Sequence, residues 1–275
     1  LSILESGDLA TKLSPPPDGL HLSDAEPGPA RIFDAPDRDT DLVMKDGSDK
    51  LPRPGQMREV TNRILCLERF AHHELQAVEL FAWALLAFPA LPSSLRRSWL
   101  QVLTEEQDHC RLYINHLEKL GGAFGGTPLS NYFWKSIPVV LAADNPPLAF
   151  LCTMGLTLEQ ANLDFSLLYR DAFREAGDEE GALALQKVHD DEVGHVKIAK
   201  VWLERLSEQP SDILAYEAHV PFPFGVLRAK GKRFDVSARR KAGLSEDFIK
   251  VVRNGIITAH DLFVVREYYF SATLY

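Results

Sequence analysis

Residues Val188–Trp202 read V-H-D-D-E-V-G-H-V-K-I-A-K-V-W and contain the pair Glu192-x-x-His195 within a helical pattern of apolar residues. A second pair of the same spacing, Glu106-x-x-His109, lies in the stretch E-E-Q-D-H-C-R-L-Y. Residues three apart share one face of an α-helix, so each pair can turn its carboxylate and its imidazole toward one point. The two pairs therefore predict two helices that carry the same kind of site.

Each pair follows a glutamate on the apolar face of another predicted helix. Glu74 lies 32 residues before Glu106, and Glu159 lies 33 residues before Glu192. This near repeat predicts a four-helix bundle in which two helices each contribute one glutamate and the other two each contribute a Glu-x-x-His pair.

Apolar residues at helical spacing, interrupted by proline and glycine, predict the bounds of the four helices. Pro89 and Pro92 close the first helix, Gly121-Gly122 ends the second, and Gly177-Asp178 separates the third from the fourth. The predicted helices are Arg58 to Phe88, Ser93 or Ser94 to Leu120, Leu148 to Ala176, and Glu179 to Leu206.

A long connection, residues 121–147, joins the second and third helices, with a short helix expected over 131–141. One long crossover is typical of ferritin-like bundles, whereas a simple up-and-down bundle has none. The predicted fold is therefore all-α, a ferritin-like four-helix bundle over residues 58–206 with a long crossover between helices 2 and 3.

Two further segments flank the predicted bundle. Residues 1–57 are rich in proline and glycine and cannot hold long helices. Their scattered apolar residues favour an arm that packs against the bundle rather than a disordered tail. Residues 207–275 form a C-terminal extension, in which Ser245 can cap a short helix over 246–254. The basic run Arg228 to Lys241 is interpreted as a solvated loop in preference to an RNA, lipid or partner contact, and the aromatic end, 261–275, is expected to dock.

Composition limits the class of protein. The chain has 275 residues, 45% of them hydrophobic, and a formal net charge of −9, which argues against a general nucleic-acid coat. Cys66, Cys110 and Cys152 have no close spacing, so we expect buried free thiols and a reducing, cytoplasmic location. No apolar run approaches the length of a membrane span, and the start of the sequence lacks the pattern of a signal peptide. We therefore expect no membrane insertion.

Carboxylates on the apolar faces of helices are costly unless they are neutralised, paired or bound to metal. Four such glutamates in one core would repel one another, and two divalent ions would balance their charge. Together with two imidazoles, this is the arrangement of di-iron and di-manganese carboxylate proteins, and such mixed ligands favour Fe or Mn over a thiolate-rich zinc site. The predicted metal ligands are Glu74, Glu106, His109, Glu159, Glu192 and His195.

Other residues near these positions have two interpretations each. Glu79 is an alternative ligand on the first helix, but Glu74 fits the repeat better. His72 and His73 are interpreted as a surface pair in preference to groups that contact a ligand, and Tyr113 as a core aromatic in preference to a hydrogen-bonding or redox partner. For three more residues the two interpretations stay open: they could hydrogen-bond a metal ligand, or they could be ordinary surface or capping residues. These are His189, Asp164 and Asp191.

The chain resembles the ferritin-like superfamily, which includes rubrerythrin, bacterioferritin and di-iron hydroxylases of tRNA and ubiquinone. Within it, the blocks A-H-H-E-L-Q-A-V-E-L, L-E-Q-A-N-L-D, D-E-V-G-H-V and R-R-K-A-G-L resemble an uncharacterised bacterial family with a domain of unknown function. The resemblance covers residues 58–245 and implies metal ligands at the six positions named above. Gln160 and Asn162 depart from that family's usual Ala and Gly, which leaves the ligands intact but puts a shared substrate in doubt.

The leading hypothesis is a di-iron oxidoreductase or hydroxylase that uses O2 or peroxide, with Mn or mixed Fe/Mn as alternatives for the two Fe ions. It allows as partners a small-molecule or modified-nucleoside substrate, an electron-donor protein and a second copy in a homodimer. Two other hypotheses stand beside it: a ferroxidase or iron-binding protein without an organic substrate, and a metal-free interaction module.

Overall fold

A computed structural model describes residues 1–17, 20, 22–25, 27–47 and 49–255. Its regular structure is almost entirely helical, which confirms the predicted all-α class. The helices are α1 (Ser2–Glu5), α2 (Leu9–Leu13), α3 (Val60–Ala87), α4 (Ser93–Lys119), α5 (Ser136–Leu141), α6 (Pro146–Phe150), α7 (Gln160–Glu175), α8 (Glu179–Leu206), α9 (Asp212–His219), α10 (Val236–Lys241) and α11 (Glu246–Asn254). A π-helical segment (Leu151–Glu159), two 3-10 turns (Thr40–Leu42 and Pro54–Gln56) and two short strands, β1 (Met44–Lys45) and β2 (Leu129–Ser130), complete the described elements.

The four long helices begin and end within two residues of their predicted bounds. Gly121 and Gly177 follow α4 and α7 with φ angles of 85° and 80°. Only glycine adopts this left-handed conformation without a steric cost, so both helices end where the sequence supplies it. The long connection between α4 and α6 contains β2 and α5, in agreement with the expected short helix.

The third long helix is not uniformly α-helical. It runs through α6, the π-helical segment and α7 without a break. In the π-helical segment, the Thr157 hydroxyl donates a hydrogen bond to the carbonyl oxygen of Cys152, five residues earlier, at 2.8 Å. The sequence predicted only a regular helix here, because apolar periodicity does not distinguish one wider turn.

The chain divides into two compact units. The first comprises Leu1–Ile137 and Leu168–Val188, and the second comprises Pro138–Leu167 and the described residues from His189 onward. In the first unit α3 packs along α4, and in the second α9 contacts both the π-helical segment and α11. The predicted segment bounds at 57 and 206, and the ferritin-like arrangement of the four long helices, stay predictions.

The N-terminal arm packs, as its apolar residues indicate. Leu4, Leu13 and Leu42 are buried, and the short helices α1 and α2 contact α3. Further along the arm, β1 pairs in parallel with β2, with Met44 opposite Leu129. The arm is therefore part of the first unit and not a free tail.

The C-terminal extension contains the predicted capped helix. Ser245 accepts a hydrogen bond from the backbone N–H of Phe248 at 3.1 Å, at the start of α11. The interpretation of Arg228 to Lys241 as a solvated loop is wrong for its second half, since α10 forms there and Arg239 is fully buried. The segment 261–275 lies outside the described residues.

All three cysteines are buried and unbonded to one another, as predicted. Among the helices that the structure describes, none has the length and apolar character needed to cross a bilayer.

Candidate metal centre

The first unit brings together Glu74 from α3 and Glu106 and His109 from α4, here called the first triad. One ligand atom of each residue lies within 4.8 Å of the ligand atoms of the other two. His109 Nδ1 is 3.0 Å from Glu106 Oε2, and no side chain of the triad is more than 5% exposed. Because α3 packs along α4, the Glu-x-x-His pair of one helix faces the single glutamate of the other.

The second unit brings together Glu159, the last residue of the π-helical segment, and Glu192 and His195 from α8, here called the second triad. Their ligand atoms also lie within 4.8 Å of one another. His195 Nδ1 is 3.3 Å from Glu192 Oε2 and 3.6 Å from Glu159 Oε2. All three residues are at most 5% exposed. The structure thus places the six predicted ligands in two buried groups of identical composition.

The donor set of each triad fits a divalent metal ion. Two carboxylates held this close and away from water repel each other unless a proton or a cation lies between them. Both triads supply carboxylate oxygen and imidazole nitrogen and no thiolate, which suits Fe or Mn. The residues present therefore fit the metal ions expected from the sequence. That the two triads share one dinuclear site stays a prediction.

The π-helical segment positions Glu159 against α8. A Cβ at Gly155 would overlap the Cβ of Ala199, so only glycine permits this close approach of the two helices. Since the Thr157 hydroxyl hydrogen bonds to Cys152, the Tyr216 hydroxyl donates to Thr157 Oγ1, at 2.7 Å. Tyr216 from α9 thereby holds the turn that precedes Glu159.

Asn162 contacts one of the predicted ligands, and this contact was not singled out from the sequence. Its Nδ2 donates a hydrogen bond to Glu192 Oε1 at 2.7 Å. The signal was present in the spacing, because Asn162 follows Glu159 by three residues and lies on the same face of the helix. The sequence does not show that this face contacts Glu192 on α8, which only the folded structure reveals.

Glu79, the alternative ligand on the first helix, lies in a buried cluster of charges. Its carboxylate is 3.0 Å from Lys12 Nζ and 2.8 Å from Arg38 Nη2. It also accepts a hydrogen bond from the indole N–H of Trp134 at 2.9 Å. These contacts occupy Glu79, and the preference for Glu74 agrees with the composition of the first triad.

The surface interpretation of His72 is wrong, since its side chain is buried. Arg38 Nη1 lies 3.3 Å from His72 Nδ1, which must accept, so Nε2 carries the hydrogen and donates to Ser130 O at 2.9 Å. Burial, with the nearby Arg38, lowers the pKa of His72 to about 3. His73 stacks on Phe133 with ring centroids 5.1 Å apart. Both histidines have structural contacts in the first unit.

Asp164 and His189 contact residues other than the predicted ligands. Asp164 forms an ion pair with Arg239, at 2.7 Å. The His189 ring nitrogens lie 3.2 Å from Asp190 and 3.4 Å from Asp235. Asp164 thus lies in a buried ion pair, and its predicted contact with a metal ligand, like that of His189, stays a prediction.

Tyr113 and Asp191 complete the predicted set. Tyr113 is 1% exposed and its ring centroid lies 5.5 Å from that of Phe70, as expected of a core aromatic. Asp191 lies on α8, half-buried, directly before Glu192. Its predicted contact with a ligand histidine stays a prediction.

Comparison with known protein families finds a match over most of the chain. The model of the family described as "Protein of unknown function (DUF455)" matches residues 10–250, which include both triads and Arg239. No curated protein and no solved structure matches the chain.

Proposed function

The chain belongs to the DUF455 family of proteins of unknown function, and from that premise we propose that it is a dinuclear carboxylate metalloprotein with two Fe ions. The observation that carries the proposal is the pair of buried triads, each with two carboxylates and one imidazole within 4.8 Å. In the proposal, Glu74, Glu106 and His109 hold one ion. The second triad holds the other.

We further propose that both ions share one centre within a ferritin-like four-helix bundle. This part rests on the sequence, in which the two halves repeat with spacings of 32 and 33 residues. Charge supports it as well, because two divalent cations balance four ionised glutamates. Mn or a mixed Fe/Mn pair fits the same donors.

Iron bound by such residues supplies activation of O2 or peroxide for the oxidation of an organic substrate. The chain's own residues hold the ions, keep them out of bulk water and fix the orientation of their ligands. An oxidoreductase or hydroxylase of this type takes electrons from a donor protein, and the free thiols agree with a reducing cytoplasm. The substrate is a small molecule or a modified nucleoside in this proposal.

The test is an anaerobic Fe(II) titration, with metal analysis of protein purified without chelator. Wild type is expected to bind two ions per chain. The double variant Glu192→Ala/His195→Ala is expected to lose one ion and to bind the other more weakly. The matched control, Lys200→Ala/Glu204→Ala, removes an ion pair from the same helix and is expected to bind two ions. Equal iron binding by wild type and the ligand variant would contradict the proposal.

Exposure of the loaded protein to O2 separates an oxidoreductase from a ferroxidase. An oxidoreductase couples O2 consumption to oxidation of an added substrate or reductant over many turnovers. A ferroxidase instead consumes O2 only in proportion to the Fe(II) that it oxidises.

A further inference from the structure

The second triad has a fourth polar residue beside it. α7 and the segment before it present Glu159 and Asn162, three residues apart, and α8 presents Glu192 and His195 with the same spacing. Across this contact, Asn162 Nδ2 lies 2.7 Å from Glu192 Oε1. An ionised carboxylate only accepts hydrogen bonds, so the amide nitrogen and not the amide oxygen must face it.

The two oxygens of Glu192 therefore have different surroundings. Oε1 is held by the Asn162 amide, whereas Oε2 lies 3.3 Å from His195 Nδ1, on the side of the triad. The first triad has no such amide at the equivalent position, because the residue three after Glu74 is the buried Ala77.

We propose that Asn162 is a positioning residue that holds Glu192 Oε1, so that Glu192 offers Oε2 to the ion of the second triad. The inference rests on the proposed function. A hydrogen bond from a neutral amide to a carboxylate is charge-assisted, and it restricts rotation of the carboxylate group without adding a competing charge.

The effect of losing this contact is expected mainly at the ion of the second triad. Groups that orient a metal ligand typically change metal affinity by about 10- to 100-fold when they are removed. Asn162→Leu removes the amide and excludes water from its place, and Asn162→Ala removes it without adding bulk. Both variants are expected to bind the second-triad ion about 10- to 100-fold more weakly, with a smaller change in the affinity for the first-triad ion.

The matched control is Ser166→Ala, one turn along the same helix. Ser166 Oγ donates to the backbone oxygen of Asn162 at 2.6 Å and is equally part of α7, whereas the Asn162 side chain is the group that donates to Glu192. This variant is expected to bind both ions as wild type does. Similar melting temperatures of the metal-free variants would exclude a general loss of structure as the cause.

Anaerobic calorimetric titration with Fe(II) measures the two affinities, first in the single variants and then in a Glu74→Ala background that retains the second triad. Weaker binding of one ion in both Asn162 variants, and of the remaining ion in the Glu74→Ala background, supports the inference. If wild type binds two ions and both Asn162 variants bind them equally well, the inference fails and the proposed function stands. If wild type binds no ion, the proposed function fails and the inference fails with it.

Discussion

Arg239 and Asp164 form a fully buried, two-point ion pair in which Nη1 and Nη2 of the arginine lie 2.7 and 2.8 Å from the two carboxylate oxygens. Arg239 also donates from Nε to Gln160 at 3.1 Å, and its guanidinium lies 3.8 Å from the ring centroid of Phe234. Asp164 accepts two further hydrogen bonds, from the backbone N–H groups of Gly231 and Asp235. The pair thus fastens the C-terminal extension to α7 within the second unit.

We expect Arg239→Met to destabilise the protein by about 3–5 kcal/mol, because it leaves a buried carboxylate without its cation. Urea denaturation measures the change. The control is the next residue, Arg240, whose pair with Glu246 is exposed. Arg240→Met should cost less than about 1 kcal/mol, as surface ion pairs do. A similar loss of unfolding free energy in both variants would contradict the idea that burial makes the Arg239–Asp164 pair the more important of the two.

In the buried charge cluster around Glu79, we expect loss of the carboxylate to destabilise the protein more than loss of one of its cations. Glu79→Gln removes the carboxylate that pairs with two buried cations, Lys12 and Arg38, and should cost about 3–5 kcal/mol. Lys12→Met leaves Glu79 with both of its contacts to Arg38 and should cost clearly less. Chemical denaturation of both variants tests the order, and a larger loss for Lys12→Met would contradict it.

Glu68 predicts a substitution that stabilises the protein near neutral pH. Burial raises the pKa of this carboxyl above its usual value of 4.5; Arg69 lowers the pKa by less, and Asp49 raises it slightly further. An acid whose pKa is higher in the folded state loses stability as pH rises from 4.5 through the folded pKa. Glu68→Gln should therefore raise the melting temperature at pH 7, and the gain should shrink as pH falls below 4.5. A melting temperature at pH 7 equal to or below that of wild type would contradict the prediction.

The cysteines should be inert toward alkylation in the folded protein. Burial raises the pKa of the Cys66 and Cys152 thiols well above the usual value, and thiolate is the reactive form. Iodoacetamide at pH 8 is expected to label none of the three cysteines in folded protein and all three in urea, as read by intact mass. Rapid labelling of any cysteine without denaturant would contradict the prediction, because it would show that the buried thiol becomes accessible in the folded protein.

Metal stoichiometry should distinguish two glutamates on the same helix. Glu74→Gln keeps the size of the side chain but removes a charged ligand of the first triad, so we expect one Fe(II) per chain to be lost. Glu68→Gln is the matched control and should retain both ions. Anaerobic titration followed by metal analysis gives the counts, and loss of iron in the control, or none in Glu74→Gln, would contradict this choice of ligand.

Much of the local structure could be predicted from the sequence. The four long helices follow from apolar periodicity and from the prolines and glycines that end them, because a helix is set by contacts between residues three and four apart. The same short spacing identified both Glu-x-x-His pairs. Glu74 and Glu159 could be predicted as ligands because a glutamate on the apolar face of a helix requires a compensating partner.

The contacts between distant segments could not be predicted. Asp164 and Arg239 are 75 residues apart, and Glu79 meets Lys12 from the N-terminal arm. The local sequence around a charged residue does not indicate which distant residue of opposite charge it will meet in the folded chain. The π-helical segment was missed for a related reason, since its wider turn depends on the Thr157 hydroxyl, on Tyr216 and on the close approach of Gly155 to Ala199.

The sequence by itself determined the helical class, the helix bounds and the chemical identity of the six candidate ligands, since all of these depend on residue type and short-range spacing. Only the tertiary structure decided which buried carboxylate lies beside other candidate metal ligands and which forms ion pairs with lysine or arginine side chains. Glu74 lies with another carboxylate and a histidine, whereas Glu79, one and a half turns further along α3, lies between Lys12 and Arg38. The reason is that a buried charge takes its partner from whatever segment packs against it.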